Sequence, residues 1–261
     1  MVKVLCIGDV CGSVGRNALR NRVNGLKHQY GIDFTVINGE NSADGNGITP
    51  ASALDLFSIG ADVIAGGNHS FRRSEVFDFY EQNPFVLRPQ NIHTAEFGSG
   101  YCLFDMGKFS IAVLNISGCV YLDRLNPDNP FICADQLIER AKNDGANIIL
   151  VDFHAEATSE KRALGFYLDG KVSALFGTHT HVLTADCQIL PSGTGYITDI
   201  GMTGPKQSVL GVKSEIIIER LKNGDQHKFE LAKGPSIING CIFEIDEKSG
   251  KAVNAFAVCT E

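Results

Sequence analysis

The chain has 261 residues, of which 44% are hydrophobic and 20% are charged. These proportions are typical of a globular protein with a substantial core, and we expect one domain over residues 1–261 rather than two. The formal net charge of −7, without a cluster of Lys or Arg, argues against binding of long nucleic acid but permits a small phosphate substrate whose charge metal ions neutralise.

Cysteine usage and the apolar segments indicate the compartment. No two of the eight cysteines form a Cys-x-x-Cys pair, and most lie in apolar runs, which indicates reduced core thiols rather than a disulfide framework or a zinc ribbon. The opening MVKVLCIGDV is too short an apolar run for a signal peptide, and no run of about 18 apolar residues occurs. We therefore expect a cytoplasmic protein without a membrane span.

Short apolar, β-branched runs recur along the first two thirds of the chain, and each ends in a turn. Such runs are typical of strands that are buried on both faces of a sheet. They predict strands at 2–8, 34–39, 62–67, 109–116, 147–153 and 172–177. Segments with helical spacing predict helices at 14–29, 50–59, 72–82, 131–143 and 158–168. Thr49 and Pro50 supply an N-cap and a first helical residue to the second of these helices.

The pattern changes after about residue 185, where strands follow one another without long helices. The predicted strands lie in CQILP, GTGYITDI, HKFELA, SIINGCIFEID and KAVNAFAV, with one helix near 213–221. An α/β first part and a β-rich last part, with no linker between them, predict an α/β fold in which helices flank two packed sheets.

Side chains that bind metal ions follow directly after five of the predicted strands. They are Asp9, Glu40 with Asn41, Asn68 with His69, His154, and His179 with His181. Open α/β sheets bind ligands at the carboxyl ends of their strands, so these groups can converge although they are far apart in sequence. Carboxylate, amide and imidazole suit iron, manganese or zinc, and two ions about 3.5–4 Å apart hydrolyse phosphate esters. The pattern predicts a metal-dependent phosphoryl hydrolase.

Other interpretations of these segments are less favoured. The glycines of GDVCGSVG at 8–15 have the spacing Gly-x3-Gly-x2-Gly rather than the dinucleotide-binding GxGxxG, and no P-loop occurs. Asp9 alone could cap the following helix. Glu156 is interpreted as a carboxylate at a helix start, and Glu160 with Lys161 as a solvated helix face. The Gly-containing segment 201–210 resembles a mobile loop near the site, and its role stays open.

Five blocks of sequence resemble the ordered motifs of the calcineurin-like metallophosphoesterases. They are GDV at 8–10, NGEN at 38–41, GGNH at 66–69, DFHAEATSEK at 152–161 and GTHTHV at 177–182. NGEN and FHAEATSEK are similar, more narrowly, to the YmdB-like bacterial phosphodiesterase branch, and this resemblance covers nearly the whole chain. It implies a four-layer αββα sandwich with a binuclear metal centre.

The resemblance also implies a role for each site residue. The expected ligands are Asp9 and His181 for the first ion, Asn68, His154 and His179 for the second, and Glu40 as the bridge. His69 is expected to protonate the leaving oxygen or stabilise the transition state, and Asn41 to hydrogen-bond a phosphate oxygen. Iron is the expected native metal, with manganese or zinc as alternatives.

Two positions depart from the wider superfamily pattern. Cys11 stands where the first motif usually has His, and Glu40 stands where the bridging residue is usually Asp. Both departures are features of the YmdB-like branch. We interpret Cys11 as a small neutral thiol packed beside the site rather than as a thiolate ligand.

The implied activity is a phosphodiesterase in which metal-bound hydroxide attacks phosphorus in line. The resemblance implies 2',3'-cyclic nucleotides or 3',5'-cyclic AMP as substrates, although no residue of the sequence indicates recognition of a base or ribose. The alternatives are a phosphomonoesterase or nuclease with the same metals, and a regulatory protein that binds metal and nucleotide with little turnover. A homo-oligomer is implied by resemblance alone.

Overall fold

The structure is a computed structural model that describes residues 1–93 and 97–261. Its strands are β1 (Val2–Ile7), β2 (Asp9–Val10), β3 (Phe34–Asn38), β4 (Val63–Ala65), β5 (Tyr101–Asp105), β6 (Ser110–Ser117), β7 (Ile148–His154), β8 (Ala174–Thr178), β9 (Gln188–Ile189), β10 (Gly195–Ile197), β11 (Met202–Pro205), β12 (Ser236–Ile245) and β13 (Ala252–Thr260). Its helices are α1 (Gly12–Tyr30), α2 (Pro50–Ile59), α3 (Phe77–Gln82), α4 (Pro130–Asn143), α5 (Thr158–Tyr167) and α6 (Ser214–Asn223).

The strands form two mixed sheets. The first has the order β2-β11-β12-β1-β3-β4, with β13 paired to β12, and the second has the order β5-β6-β7-β8-β10-β9. Strands β1, β3 and β4 run parallel, as do β6, β7 and β8. Each sheet therefore has one edge at which the carboxyl ends of several strands lie together, the place where α/β sheets bind ligands.

The two sheets face each other across an apolar core. Val4 and Val36 of the first sheet belong to the same buried cluster as Val113 and Leu150 of the second. Full burial of one such side chain contributes about 1.5–3 kcal/mol, so this cluster holds the sheets together.

The outer faces of the sheets are covered by helices. Leu5, which alternates with Val4 along β1, points to the opposite face and packs in a cluster with Leu19 of α1 and Leu56 of α2. The second sheet is covered in the same way, since Val151 of β7 clusters with Leu137 of α4. The predicted arrangement of two mixed sheets flanked by helices is confirmed.

Local signals explain where α2 begins. The Thr49 hydroxyl accepts a hydrogen bond from the backbone N–H of Ser52, and the Ser52 hydroxyl accepts one from the backbone N–H of Thr49. Pro50 is the first helical residue. Proline suits this position because a backbone N–H here would have no partner within the helix, so its absence costs little.

Two sequence predictions of elements were wrong, and one segment that was left open has a defined structure. The segment HKFELA forms no strand, because residues 227–230 are exposed and only Leu231 makes an isolated bridge, to Val212. The helix predicted over 72–82 begins at Phe77, after a short 3-10 turn at Ser74–Val76. The segment 201–210, which has the Gly content of a mobile loop and whose role the sequence left open, contains β11, which pairs with β2 and β12. No described helix is long and apolar enough to cross a membrane.

Candidate metal centre

The six expected ligands lie together where carboxyl ends of strands from both sheets meet. The first sheet supplies Asp9, Glu40 and Asn68, and the second supplies His154, His179 and His181. Asp9 does not cap α1, since Cys11 occupies the N-cap position without a side-chain hydrogen bond. The sequence prediction that these strand ends converge is therefore borne out by their positions.

Three donors form a tight group that we call the imidazole cluster, consisting of Asn68, His154 and His179. Asn68 Oδ1 lies 2.8 Å from His154 Nε2 and 3.0 Å from His179 Nδ1, and these two nitrogens are 3.0 Å apart. Glu40 Oε2 lies 3.5 Å from His154 Nε2. One ligand atom each from Glu40, His154 and His179 lie within 4.8 Å of one another, a spacing that fits a single metal ion.

Asp9 and His181 face each other beside this cluster. His181 Nε2 lies 3.7 Å from Asp9 Oδ1, while Asp9 Oδ2 accepts a hydrogen bond of 3.2 Å from the backbone N–H of His179. Asp9 Oδ1 is buried and has no hydrogen-bond partner among the described residues. Buried polar atoms are nearly always paired, so an unpaired carboxylate oxygen here fits a bound cation.

The electrostatics of the site also fit a cation. Burial raises the pKa of Asp9, and burial together with the Asp9 carboxylate raises that of Glu40 well above its ordinary value. Burial lowers the pKa of His154 well below its ordinary value and that of His179 to about 4, so both imidazoles are neutral at neutral pH. Neutral imidazoles offer lone pairs, and a metal ion would compensate the two buried carboxylates.

Backbone must pass very close to the site, and a glycine permits this. A Cβ at Gly67 would lie 2.2 Å from Glu40 Oε2 and 2.4 Å from His154 Cε1. Any side chain at this position would displace two of the expected ligands. Glycine at position 67 therefore has a steric cause.

His69 and Asn41 lie beside the imidazole cluster, not within it. His69 Nδ1 is 2.6 Å from Asn41 Oδ1, and the backbone N–H of His69 donates to Glu40 Oε2 at 2.8 Å. An amide oxygen only accepts, so Nδ1 carries the proton and Nε2 of the neutral ring keeps its lone pair. Burial, reinforced by Arg72, lowers the pKa of His69 to about 4. Asn41 Nδ2 donates to Glu40 Oε1 at 2.9 Å.

The Cys11 thiol packs against the side of the site that carries Asp9 and His181. Its Sγ lies 3.9 Å from His181 Nδ1 and 3.9 Å from Met202 Sδ. Burial, and the nearby carboxylate of Asp9, raise the pKa of this thiol well above its ordinary value. These surroundings favour a neutral packed thiol over a thiolate ligand.

A fully buried ion pair behind the site was missed by sequence reasoning. Lys161 Nζ donates to Thr178 O at 2.8 Å and to Asp199 Oδ2 at 2.7 Å. Interpretation of Lys161 as part of a solvated helix face was therefore wrong. Glu160, its assumed partner, instead accepts the backbone N–H of Cys119 at 2.8 Å. The run DFHAEATSEK gave no signal that Lys161 points inward.

The ion pair anchors the segment that carries two histidines. Asp199 Oδ2 accepts hydrogen bonds from the backbone and hydroxyl of Thr180, at 3.1 and 2.8 Å. His179 and His181, on either side of Thr180, have φ angles of 99° and 63°, a region that residues other than glycine rarely adopt. Strained backbone persists only where its surroundings hold it, and Lys161 with Asp199 provides that support.

A second set of buried polar groups contacts His154 at Nδ1, the ring nitrogen that does not face Asn68 and His179. His154 Nδ1 lies 2.9 Å from Thr178 Oγ1, which donates to Asp152 Oδ1 at 2.6 Å. Burial raises the pKa of Asp152 to about 8, against the opposing effect of hydrogen bonds from Thr178 and Asn38. Glu156 is a further neighbour of the site, since its Oε2 lies 3.0 Å from His179 Nε2.

The fold and the site together define a metallophosphoesterase. A solved structure of a putative 5'-nucleotidase from Staphylococcus aureus shares the fold, with a TM-score of 0.60 over 98% of this chain and 54% of that chain at 15% identity. The chain belongs, within this class, to the YmdB-like protein family, whose family model matches residues 5–258.

Two relatives are similar over nearly their whole length. The chain is 45% identical to a 2',3'-cyclic-nucleotide 2'-phosphodiesterase of Bacillus subtilis over 252 residues, which are 97% of this chain and 94% of that protein. The crystal structure of a phosphatase from Mycoplasma pneumoniae matches with a TM-score of 0.94 and 34% identity, covering 99% of this chain and 93% of that one. The resemblance that the sequence motifs indicated is confirmed.

Proposed function

We propose that this chain is a two-metal phosphodiesterase that hydrolyses cyclic nucleotides. The observation that carries the proposal is the buried Oδ1 of Asp9, which has no hydrogen-bond partner among the described residues although Asp9 is one of six grouped metal-binding side chains. The 45% identical relative, named as a 2',3'-cyclic-nucleotide 2'-phosphodiesterase, supports the choice of substrate class. We therefore favour 2',3'-cyclic nucleotides over 3',5'-cyclic AMP.

The proposed ligand sets follow from the grouping of the side chains. Asp9 with His181 would hold one ion, the imidazole cluster would hold the other, and Glu40 would be shared. Bound ions would supply Lewis acidity, which neutralises phosphoryl oxygens and lowers the pKa of water. The mixed nitrogen and oxygen donors suit iron, which we propose as the native metal, and also manganese or zinc.

His69 and Asn41 would act on the substrate itself. Because Asn41 Oδ1 fixes the proton on Nδ1 of His69, Nε2 is the atom left for the ester oxygen. A neutral imidazole cannot donate from this atom, but the negative charge of a bound phosphodiester would raise the pKa of His69 and favour its protonation. His69 would then protonate the leaving oxygen, while the amide of Asn41, already turned toward the site, would bind a phosphate oxygen.

Metal analysis of freshly purified protein, combined with a substrate panel, tests the proposal. The panel comprises bis-p-nitrophenyl phosphate, p-nitrophenyl phosphate, 2',3'-cyclic nucleotides, 3',5'-cyclic AMP and RNA. We expect two ions per chain and hydrolysis of the diesters, with 2',3'-cyclic nucleotides preferred. Less than one ion per chain, together with no diesterase activity in added Mn²⁺ or Fe²⁺, would overturn it. Preference for the monoester or for RNA would identify a phosphomonoesterase or a nuclease instead.

Two substitutions separate metal binding from catalysis. Glu40→Gln should empty both positions, because it removes the charge of the shared ligand. His69→Ala should keep the metals and lower kcat by about 10²–10⁴-fold, the usual contribution of a general acid. Metal content and kcat are measured on the same preparations. Loss of metal in His69→Ala would assign His69 as a ligand and contradict the proposed role.

A further inference from the structure

His154 is the end of a buried chain of hydrogen bonds that begins at a carboxylate. Asp152, Thr178 and His154 all have no exposed surface. Thr178 Oγ1 lies 2.6 Å from Asp152 Oδ1 and 2.9 Å from His154 Nδ1. The second nitrogen of His154, Nε2, is the atom that faces Asn68 and His179 in the imidazole cluster.

The direction of this chain can be worked out from its far end. The backbone N–H of Glu40 donates to Asn38 Oδ1 at 3.2 Å, which fixes the orientation of the Asn38 amide. Asn38 Nδ2 therefore donates to Asp152 Oδ2, at 3.0 Å, and Asp152 accepts at that oxygen. When His154 Nε2 binds a metal ion, the ring proton lies on Nδ1 and is donated to Thr178 Oγ1, so the Thr178 hydroxyl donates to the other carboxylate oxygen, Asp152 Oδ1.

A hydroxyl group has only one proton to donate. Since the proton of Thr178 goes to Asp152 in this arrangement, the Thr178 oxygen is left to accept the Nδ1 proton of His154. Neutral His154 then presents the lone pair of Nε2 toward the imidazole cluster. Histidines that bind metal commonly donate the N–H of their other ring nitrogen to a hydrogen-bond partner of this kind.

We propose that Asp152 and Thr178 are positioning residues that fix His154 in the tautomer and orientation needed to bind metal through Nε2. This inference rests on the metal centre of the proposed function. It assigns a task to two residues that themselves contact neither metal nor substrate. It also explains why polar groups are buried between β7 and β8, where apolar side chains would pack more favourably.

Substitutions at Thr178 test the proposal, with Thr35 as a matched control. Thr178→Val keeps the shape of the side chain and removes the hydroxyl, whereas Thr178→Ser keeps the hydroxyl. Thr35 is also a fully buried strand threonine, but its Oγ1 has no hydrogen-bond partner among the described residues. Thr35→Val therefore makes the same chemical change without touching His154.

The first measurement is Mn²⁺ affinity by isothermal titration calorimetry, with folding checked by circular dichroism. Loss of a partner behind a ligating histidine typically weakens metal affinity about 10–100-fold. We expect that loss in Thr178→Val, affinity within about threefold of wild type in Thr178→Ser, and no change in Thr35→Val. Wild-type affinity in a folded Thr178→Val variant, or equal losses in the Ser and Val variants, would overturn the proposal.

The second measurement is the Mn²⁺ affinity of Asp152→Asn, again with folding checked by circular dichroism. In this variant the Asn38 amide keeps the new carbonyl oxygen on its own side, so the new NH₂ group donates to Thr178. The Thr178 hydroxyl can then donate to His154 Nδ1, which leaves the ring proton on Nε2, the atom proposed to bind metal. We expect the Mn²⁺ affinity to fall as it does in Thr178→Val. Wild-type affinity in a folded Asp152→Asn variant would overturn the inference.

These two measurements separate the inference from the proposed function. Absence of Mn²⁺ binding by the wild-type chain would refute the metal centre. Tight Mn²⁺ binding by wild type, with unchanged binding in Thr178→Val, would refute only the positioning role. Wild-type binding that fails in Thr178→Val and recovers in Thr178→Ser supports both.

Discussion

At the scale of single residues, Gly67 is a position where the site has no room for a side chain. We expect Gly67→Ala to lose metal binding, because its methyl group would occupy the space of Glu40 Oε2 and the ring of His154. Metal content and Mn²⁺ affinity measure the loss, and circular dichroism checks that the variant folds. A folded Gly67→Ala variant that binds Mn²⁺ like wild type would contradict this steric account.

Gly25 provides the matched control for that substitution. It lies inside α1, and a Cβ there would have no atom within 4 Å. Gly25→Ala should therefore leave metal binding unchanged and raise the free energy of unfolding by about 0.5–1 kcal/mol, because glycine is costly in a helix interior. Urea unfolding measures the gain. A loss of stability would mean that the α1 backbone at Gly25 is more constrained than its surroundings indicate.

The sequence could predict which residues gather at the site, but not how they hold one another. Asp9, Glu40 and Asn68 were identifiable because each follows a strand, and strand ends meet. Thr178 and Asp152 lie beside expected ligands in the sequence, yet their hydrogen-bond direction depends on Asn38, which reaches them from the other sheet. Such contacts are set by packing between sheets, which one strand's sequence does not encode.

At the scale of elements, the Lys161–Asp199 pair connects α5 to the segment that follows β8. We expect Lys161→Met to lower the free energy of unfolding by about 3–5 kcal/mol, because the substitution leaves Asp199 buried without its cationic partner. The double variant Lys161→Met/Asp199→Asn should lose less than the sum of the two single variants. Urea unfolding of the four proteins gives the coupling, and additive losses would show that the pair is not energetically linked.

An exposed ion pair serves as the control for this cycle. Lys171 Nζ lies 3.5 Å from Asp135 Oδ1, with both side chains substantially exposed to solvent. Lys171→Met should change the free energy of unfolding by less than about 1 kcal/mol, since water screens such pairs. The same type of substitution thus has different costs at the two sites. A loss at Lys171 as large as that at Lys161 would show that burial does not account for the difference.

Element boundaries could be predicted where local signals were strong and not where pairing decided them. The Thr49–Pro50 signal correctly gave the start of α2. β11 was not predicted, because its sequence MTGP contains glycine and proline and becomes a strand only by pairing with β2 and β12. HKFELA has the alternation of a strand, but its pairing stops at the single bridge between Leu231 and Val212.

At the scale of the whole molecule, the candidate centre joins the two sheets. Its donors come in equal number from each sheet, so a bound ion would cross-link them in the folded state only. We expect Mn²⁺ to raise the free energy of unfolding, by about 2.7 kcal/mol when its free concentration is a hundred times its Kd. Thermal unfolding with Mn²⁺ and with a chelator measures this gain. Glu40→Gln should remove this gain. Equal melting temperatures of the wild-type protein with Mn²⁺ and with the chelator would refute the cross-link.

The order of strands in the first sheet has a consequence for how the chain is made. β1 leaves the ribosome more than 200 residues before β12, at Ser236–Ile245, which is one of its two neighbours in the sheet. Until β12 emerges, that side of β1 keeps unpaired backbone groups beside apolar side chains, a surface on which nascent chains aggregate. Nascent chains that end before β12 should therefore be prone to aggregation and depend on chaperones, even when every expected metal ligand has already been synthesised.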